Sequence, residues 1–252
     1  MARIMTVGMG KGGVGKSLLA FHLAHAAAAA SGGVLALDLD RQGSLLSLLG
    51  VPPAQDLAGV LAGFAKLDSN MPVSAGGGIR VLRGDVSLAA AESMLVMRAA
   101  PPSFLRDLLG EIVPPNGCAV LDTATGGYLS EMALAAADVI VAPVAMRTAD
   151  AAMLAQFLER AKKLAPHAEV LVVPNRFDRR TKVSTEVYAE ANAVAERWGA
   201  VWSPFIPETV ELDSARLGGQ PVWAKQPHTP IARLLHNVAD TALRLAGVLE
   251  PA

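Results

Sequence analysis

The chain has 252 residues, 52% of them hydrophobic and 4% aromatic, with a formal net charge of −1. That length and apolar content are enough for one large core, and the near-neutral charge excludes binding of a polyanion through a global basic field. The single cysteine, Cys118, excludes an intrachain disulfide and any metal site made of several thiolates.

The N-terminus carries no charged region followed by a long apolar stretch, and no run of about 18 apolar residues occurs anywhere, so neither a secretory signal nor a membrane-spanning helix is expected. A reduced, cytoplasmic compartment is expected. Composition rich in Ala, Val and Leu suits parallel strands buried on both faces.

In chain order, Ile4, Met5, Val7 and Met9 belong to an apolar run that predicts a buried strand over Arg3 to Met9. Gly10-Lys11-Gly12-Gly13-Val14-Gly15-Lys16-Ser17 follows, then an Ala- and Leu-rich helix from Leu18 to Ala30. Strand, glycine-rich turn and helix in that order is the context of a phosphate-binding loop. Glycines let successive backbone N–H groups converge on an anion at a helix N-terminus. Lys16 is placed to reach the β- and γ-phosphates, and the Ser17 hydroxyl to ligate Mg²⁺. An ordinary glycine turn is the bland alternative, and the flanking strand and helix argue against it.

Gly32-Gly33 ends the helix, and Val34 to Leu37 predicts a second buried strand running into Asp38-Leu39-Asp40-Arg41-Gln42-Gly43. Two carboxylates at i and i+2 point the same way at the strand end where open α/β sheets bind ligands. A short helix over Ser44–Gly50 follows, and a polar strand end that caps this helix is the bland alternative for the acidic pair. Leu57 to Leu67 predicts a helix, Ala75 to Gly78 a loop, Ile79 to Leu82 a strand, and Ser87 to Arg98 and Phe104 to Val113 two helices. Cys118 to Asp122 is an apolar strand ending in aspartate, the arrangement in which Asp122 holds Mg²⁺ through a bound water. Cys118 reads as a small buried residue. Strands at Ala137 to Val144 and Glu169 to Val173 enclose a helix from Thr148 to Leu164. The last helix, Ile231 to Val248, has an apolar face at helical spacing. His167, His228 and His236 lack metal-ligand spacing.

Arg176, Arg179, Arg180 and Lys182 concentrate four cations within seven residues of a nearly neutral chain. Such a cluster can neutralise phosphates without reading bases, and equally can be a solvated charge run. Arg216, Lys225 and Arg233 are candidates to extend it.

With Lys11 directly after the first glycine, the loop has two lysines and resembles the deviant Walker A motif of the ParA/MinD family of dimeric ATPases, closest to the ParA-type DNA partition members. Further resemblances are the Asp38–Gly43 segment, the Asp122 strand, Pro174-Asn175-Arg176, and Ile206-Pro207 followed by a helix over Leu212 to Gly219 and the Gln220-Pro221-Val222 turn; together they run from Met5 to about Leu245. The family fold is a single P-loop NTPase domain of α/β class, with a mostly parallel twisted sheet and helices on both faces; no separate N-terminal DNA-binding domain is expected.

The resemblance implies ATP and Mg²⁺ as cofactors, bound by Gly10 to Leu18 with Asn175, Arg176 and Pro207 at the base. It implies that Lys11 crosses a dimer interface to the partner's nucleotide, that Asp38 lies near Mg²⁺ and its waters, and that Asp40 orients the attacking water. It further implies an ATP-bound homodimer, a centromere-binding (ParB-type) partner that stimulates slow hydrolysis, non-specific DNA, and a nucleoid-associated location. Two departures stand out: Arg41 where many members carry proline, and the absence of proline after Asp122. A MinD-like membrane-cycling regulator, an ATPase positioning a protein cargo, an iron-protein-like cluster carrier and a small P-loop kinase or synthetase are the alternatives. The acid- and proline-terminated tail disfavours the first of these, the buried setting of Cys118 the cluster carrier, and Lys11 the kinase or synthetase.

Overall fold

A computed structural model of the chain describes residues 2–114, 116–209 and 219–250. Among these, eight strands form one sheet in the order β3-β4-β2-β5-β1-β6-β7-β8. The strands are β1 (Arg3–Val7), β2 (Val34–Asp38), β3 (Val73–Gly76), β4 (Ile79–Leu82), β5 (Cys118–Asp122), β6 (Val139–Ala145), β7 (Glu169–Asn175) and β8 (Val201–Trp202). All neighbours are parallel except the β3–β4 hairpin. The helices are α1 (Lys16–Ser31), α2 (Ser44–Leu49), α3 (Asp56–Ala62), α4 (Leu88–Met97), α5 (Phe104–Ile112), α6 (Tyr128–Ala136), α7 (Asp150–Leu164), α8 (Lys182–Arg197), α9 (Val222–Lys225) and α10 (Pro230–Leu245).

Strand alternation divides the core cleanly. Met5, Val7, Val34, Ala36, Val120 and Val141 face the layer of α1, α2 and α10. Their neighbours Ile4, Leu35, Leu37, Ala119 and Leu121 face α3 to α6, while Ile140, Val170 and Val172 face α7 and α8. Both sheet faces are therefore covered, which explains why the central strands read as unbroken apolar runs.

Several sequence expectations need correction. Ala75 and Gly76 belong to a strand, not a loop: β3 is a half-exposed edge, so its apolar signal is weak. Gly76, Gly77 and Gly78, with φ of 85°, 56° and 80°, make the turn that sends the chain back into β4. The helix expected over Leu57 to Leu67 stops at Ala62, because Gly63 adopts a left-handed conformation and its N–H closes on Gly59 and Val60 carbonyls. Helix α6 had no sequence expectation, and α10 ends at Leu245 rather than Val248. The helix expected over Leu212 to Gly219 lies, apart from Gly219, outside the described residues, as does Arg216.

Candidate nucleotide site

Register places the two key carboxylates. Asp38 and Asp122 are paired residues on adjacent parallel strands β2 and β5. Each is two residues on from a side chain facing α1 (Ala36 and Val120), so both carboxylates point under the N-terminus of α1. Both are fully buried.

Their hydrogen bonding differs. Asp38 accepts backbone N–H bonds from Leu45 (2.8 Å), Leu46 (3.1 Å) and Asp40 (3.1 Å). It thereby caps α2, whose N-cap position is Gly43 and offers no side chain. Both oxygens of Asp122 lack a hydrogen-bond partner. Burial, then the charge of Asp38, raises the Asp122 pKa well above the carboxylate range; the nearby Ser17 hydroxyl and Lys16 oppose this without supplying a bond to either oxygen. Asp38 is pushed up to about 6, again chiefly by burial.

An orphaned buried carboxylate beside a serine hydroxyl fits a divalent cation. Among the described residues no three His, Cys, Asp or Glu side chains converge on one point. The cation that suits such a set is one content with a hydroxyl, one or two carboxylates, phosphate oxygens and water, which is the habit of Mg²⁺.

Above the carboxylates lies the loop. Gly13 and Gly15 have φ of 71° and 102°, and Gly15 occupies the N-cap position of α1. A Cβ on Gly15 would fall 2.3 Å from Asn175 Nδ2, so glycine is required there by space as well as by backbone. Lys16 is buried; its ammonium donates to the Lys11 carbonyl across the loop (3.1 Å). Burial lowers its pKa while Asp122 and Asp40 act against that.

A cleft of about 730 Å³ opens over this floor. Of the residues singled out in the sequence, Gly12, Gly13, Gly15, Lys16, Ser17 and Leu18 line it, as do Asp40, Asn175, Arg176 and Pro207 across from them. Gly10 and Val14 complete the loop without forming the wall, and Asp38 and Asp122 sit beneath it. Asn175, at the end of β7, donates from Nδ2 to the Val14 carbonyl (2.7 Å) and accepts the Arg176 N–H on Oδ1 (2.9 Å). It is thus a strut for the phosphate loop, with one N–H and one lone pair left over. The Phe177–Pro207 bridge brings Pro207 to the same rim.

Lys11 does not line the cleft. Its ammonium pairs with Asp150, a carboxylate only 1% exposed in the first turn of α7. Asp150 was missed by the sequence reasoning; its signal was an aspartate opening the helix after β6, the strand that the sheet order puts beside β1.

The basic cluster is partly countered. Arg180 makes two bonds to Asp178 (2.9 and 3.0 Å), and Lys182 pairs with Glu186 at 3.5 Å. Arg179 stacks on Phe205 at 4.5 Å. Lys225 and Arg233, on α9 and α10, are exposed but belong to the opposite sheet face from α8.

A parallel α/β sheet carrying a glycine-rich loop, an N-terminal helix lysine and serine, and a buried aspartate at the next strand defines a P-loop nucleotide-binding protein. Residues 5–222 match the family model of the CobQ/CobB/MinD/ParA nucleotide binding domain. The chain belongs to that family. Chromosome partitioning protein ParA of Caulobacter vibrioides is 30% identical over 233 residues, covering 87% of this chain and 86% of its own. Among solved structures, cobyrinic acid a,c-diamide synthase from Mycobacterium smegmatis with bound ATP analogue and magnesium is 27% identical, with a TM-score of 0.78 over 97% of this chain and 95% of its own. The Cyanothece McdA(D38A)–ATP complex, at 20% identity, shares the fold with a TM-score of 0.83 over 100% of this chain and 98% of its own.

Proposed function

We propose that this chain is a weak Mg²⁺-dependent ATPase that dimerises around ATP, binds DNA without sequence preference as the dimer, and releases it after partner-stimulated hydrolysis, serving plasmid or chromosome partition. The observation that carries the reading is Lys11: the loop already has Lys16 for its own nucleotide, and the second lysine, held at the loop edge by Asp150, is the residue that can serve another subunit's phosphates.

In this reading the backbone from Gly10 to Ser17 cradles the phosphates and Lys16 leaves the Lys11 carbonyl for them. Ser17 and Asp122 would hold Mg²⁺, which would supply positive charge beside the transferred phosphoryl group. Asp38, its oxygens taken by three N–H groups, contributes fixed charge and keeps α2 in place, while Asp40 at the cleft wall orients the attacking water. Asn175, Arg176 and Pro207 border the base. The partner is a centromere-binding (ParB-type) protein, and the location is cytoplasmic and nucleoid-associated. Arg176, Arg179, Arg180 and Lys182 are the cations proposed to contact DNA, with Arg216, Lys225 and Arg233 as candidates to extend the contact.

The membrane-cycling alternative loses support because the apolar face of α10 (Ile231, Leu235, Val238, Ala242) is packed in the core and not free for lipid. Binding to an arbitrary duplex with ATP, ADP or no nucleotide, at two salt concentrations, tests the reading. ATP-dependent, salt-sensitive binding is expected. An ATP-bound dimer that ignores DNA would overturn it and turn attention to a protein cargo.

A further inference from the structure

The loop after β5, Thr123 to Gly127, leans on the phosphate loop: a Cβ on Gly12 would lie 3.8 Å from the Thr125 methyl. Its far end passes into α6 through Gly127, which has φ 96° and ψ 167° and no side chain to cap the helix. The cap comes from elsewhere. Glu92 of α4 accepts the Leu129 N–H on Oε1 at 2.9 Å. A Cβ on Gly127 would lie 2.5 Å from that oxygen, so the carboxylate fills the space glycine leaves. A second tie joins the same elements, the Tyr128 hydroxyl donating to the Ala100 carbonyl just beyond α4, where Ala99 holds a left-handed φ of 49°.

The device repeats that of the first acidic loop. There too glycine (Gly43) occupies the N-cap, and a distant carboxylate, Asp38, supplies the acceptor to the helix that follows. In both places an acidic side chain fixes where a positive-φ glycine hands over to a helix beside the nucleotide cleft. Asp38 is part of the cleft floor. Glu92 is not; the inward face of α4 is Leu88, Ala91 and Leu95, and the polar group this carboxylate meets is the Leu129 N–H.

We infer that Glu92 is a positioning residue for hydrolysis, holding the Thr123–Gly127 loop against the phosphate loop and linking it to α4; the catalytic part of this inference rests on the ATPase reading above.

The test compares the native chain with Glu92→Gln, which keeps an acceptor oxygen, and Glu92→Ala. Hydrogen exchange of residues 123–131 in nucleotide-free protein should accelerate at least tenfold in Glu92→Ala, with β5 and α1 unchanged, and stay near native in Glu92→Gln. Mg-ATP turnover should fall about tenfold in Glu92→Ala with KM within threefold, and Gln should restore most of it. Unchanged exchange in Glu92→Ala, turnover per folded molecule equal to native, or Gln behaving as Ala would each overturn the inference. Native protein that fails to bind or turn over ATP defeats the ATPase reading instead, and the exchange arm still decides whether Glu92 holds the loop.

Discussion

Replacing Asp122 with asparagine should stabilise the nucleotide-free protein while removing its response to Mg²⁺. Asp38 and Asp122 occupy facing positions on neighbouring strands, which puts their carboxylates roughly 5 Å apart. At an effective dielectric of about 20, two such charges repel by about 3 kcal/mol. Asp38 carries a separate cost that the substitution leaves in place: burial raises it from 3.8 to about 6, which costs the folded state about 3 kcal/mol once pH exceeds 6. The sign is that of an acid with a raised folded pKa. Its stability is intact below pH 4 and lost as pH rises through 6. The neutral asparagine relieves the repulsion but buries an amide, which returns about 1 kcal/mol. The net gain of about 2 kcal/mol corresponds to roughly 4–8 °C in a chain of this size. Thermal melts at pH 7.5, with and without Mg-ATP, read both effects. An Asp122→Asn protein melting at or below native without nucleotide would refute the idea that this carboxylate is held strained in readiness for a cation.

Three further outcomes follow from particular contacts. Lys11→Ala strands the 1%-exposed Asp150 carboxylate without its cation and should cost about 3 kcal/mol, whereas Asp150→Ala frees a third-exposed lysine to reach water and should cost about 1; equal urea midpoints for the two variants would contradict this asymmetry. Gly15→Ala should abolish nucleotide binding, since its Cβ collides with Asn175, while Gly13→Ala, with open space but φ of 71°, should cost only about 1 kcal/mol and retain binding; titration with a fluorescent ATP analogue distinguishes them. His22 is buried between the Leu18 carbonyl and the Val222 N–H, with its pKa lowered to about 4 mainly by burial. Its neutral form is needed for the Val222 bond, so stability present above pH 6.5 should fall by about 3 kcal/mol as pH drops to 4. A His22→Gln chain should lose the His22 share of the acid sensitivity and keep that of His25, whose pKa burial also lowers to about 4; chemical denaturation across pH 4–7 measures the difference.

The central strands were legible because burial on both faces leaves an unambiguous apolar run, and the cleft because its chemistry is local: eight consecutive residues make the phosphate loop. What escaped the sequence depends on contacts far apart in the chain. Asp150 is 139 residues from Lys11 and Glu92 is 37 from Leu129, and no spacing rule connects such pairs. Capping of the Ser44–Gly50 helix by this polar strand end was legible as an alternative to a site role; that Asp38 caps the helix and also lies at the cleft floor was not, since only the fold of α2 back over β2 brings Leu45 and Leu46 to it. Edge strand β3 and helix α6 were obscured differently. The first has little apolar signal to give, and the second follows a glycine pair that reads as loop because its cap lies in another helix.

The central claim is that Lys11 joins two subunits through ATP, and sedimentation velocity tests it most directly. Native protein should sediment as a dimer with Mg-ATP and as a monomer with Mg-ADP or no nucleotide, while Lys11→Ala, studied where it remains folded and still binds ATP, should stay monomeric throughout. A native chain that stays monomeric with saturating Mg-ATP, or a Lys11→Ala chain that dimerises as well as native, would contradict it.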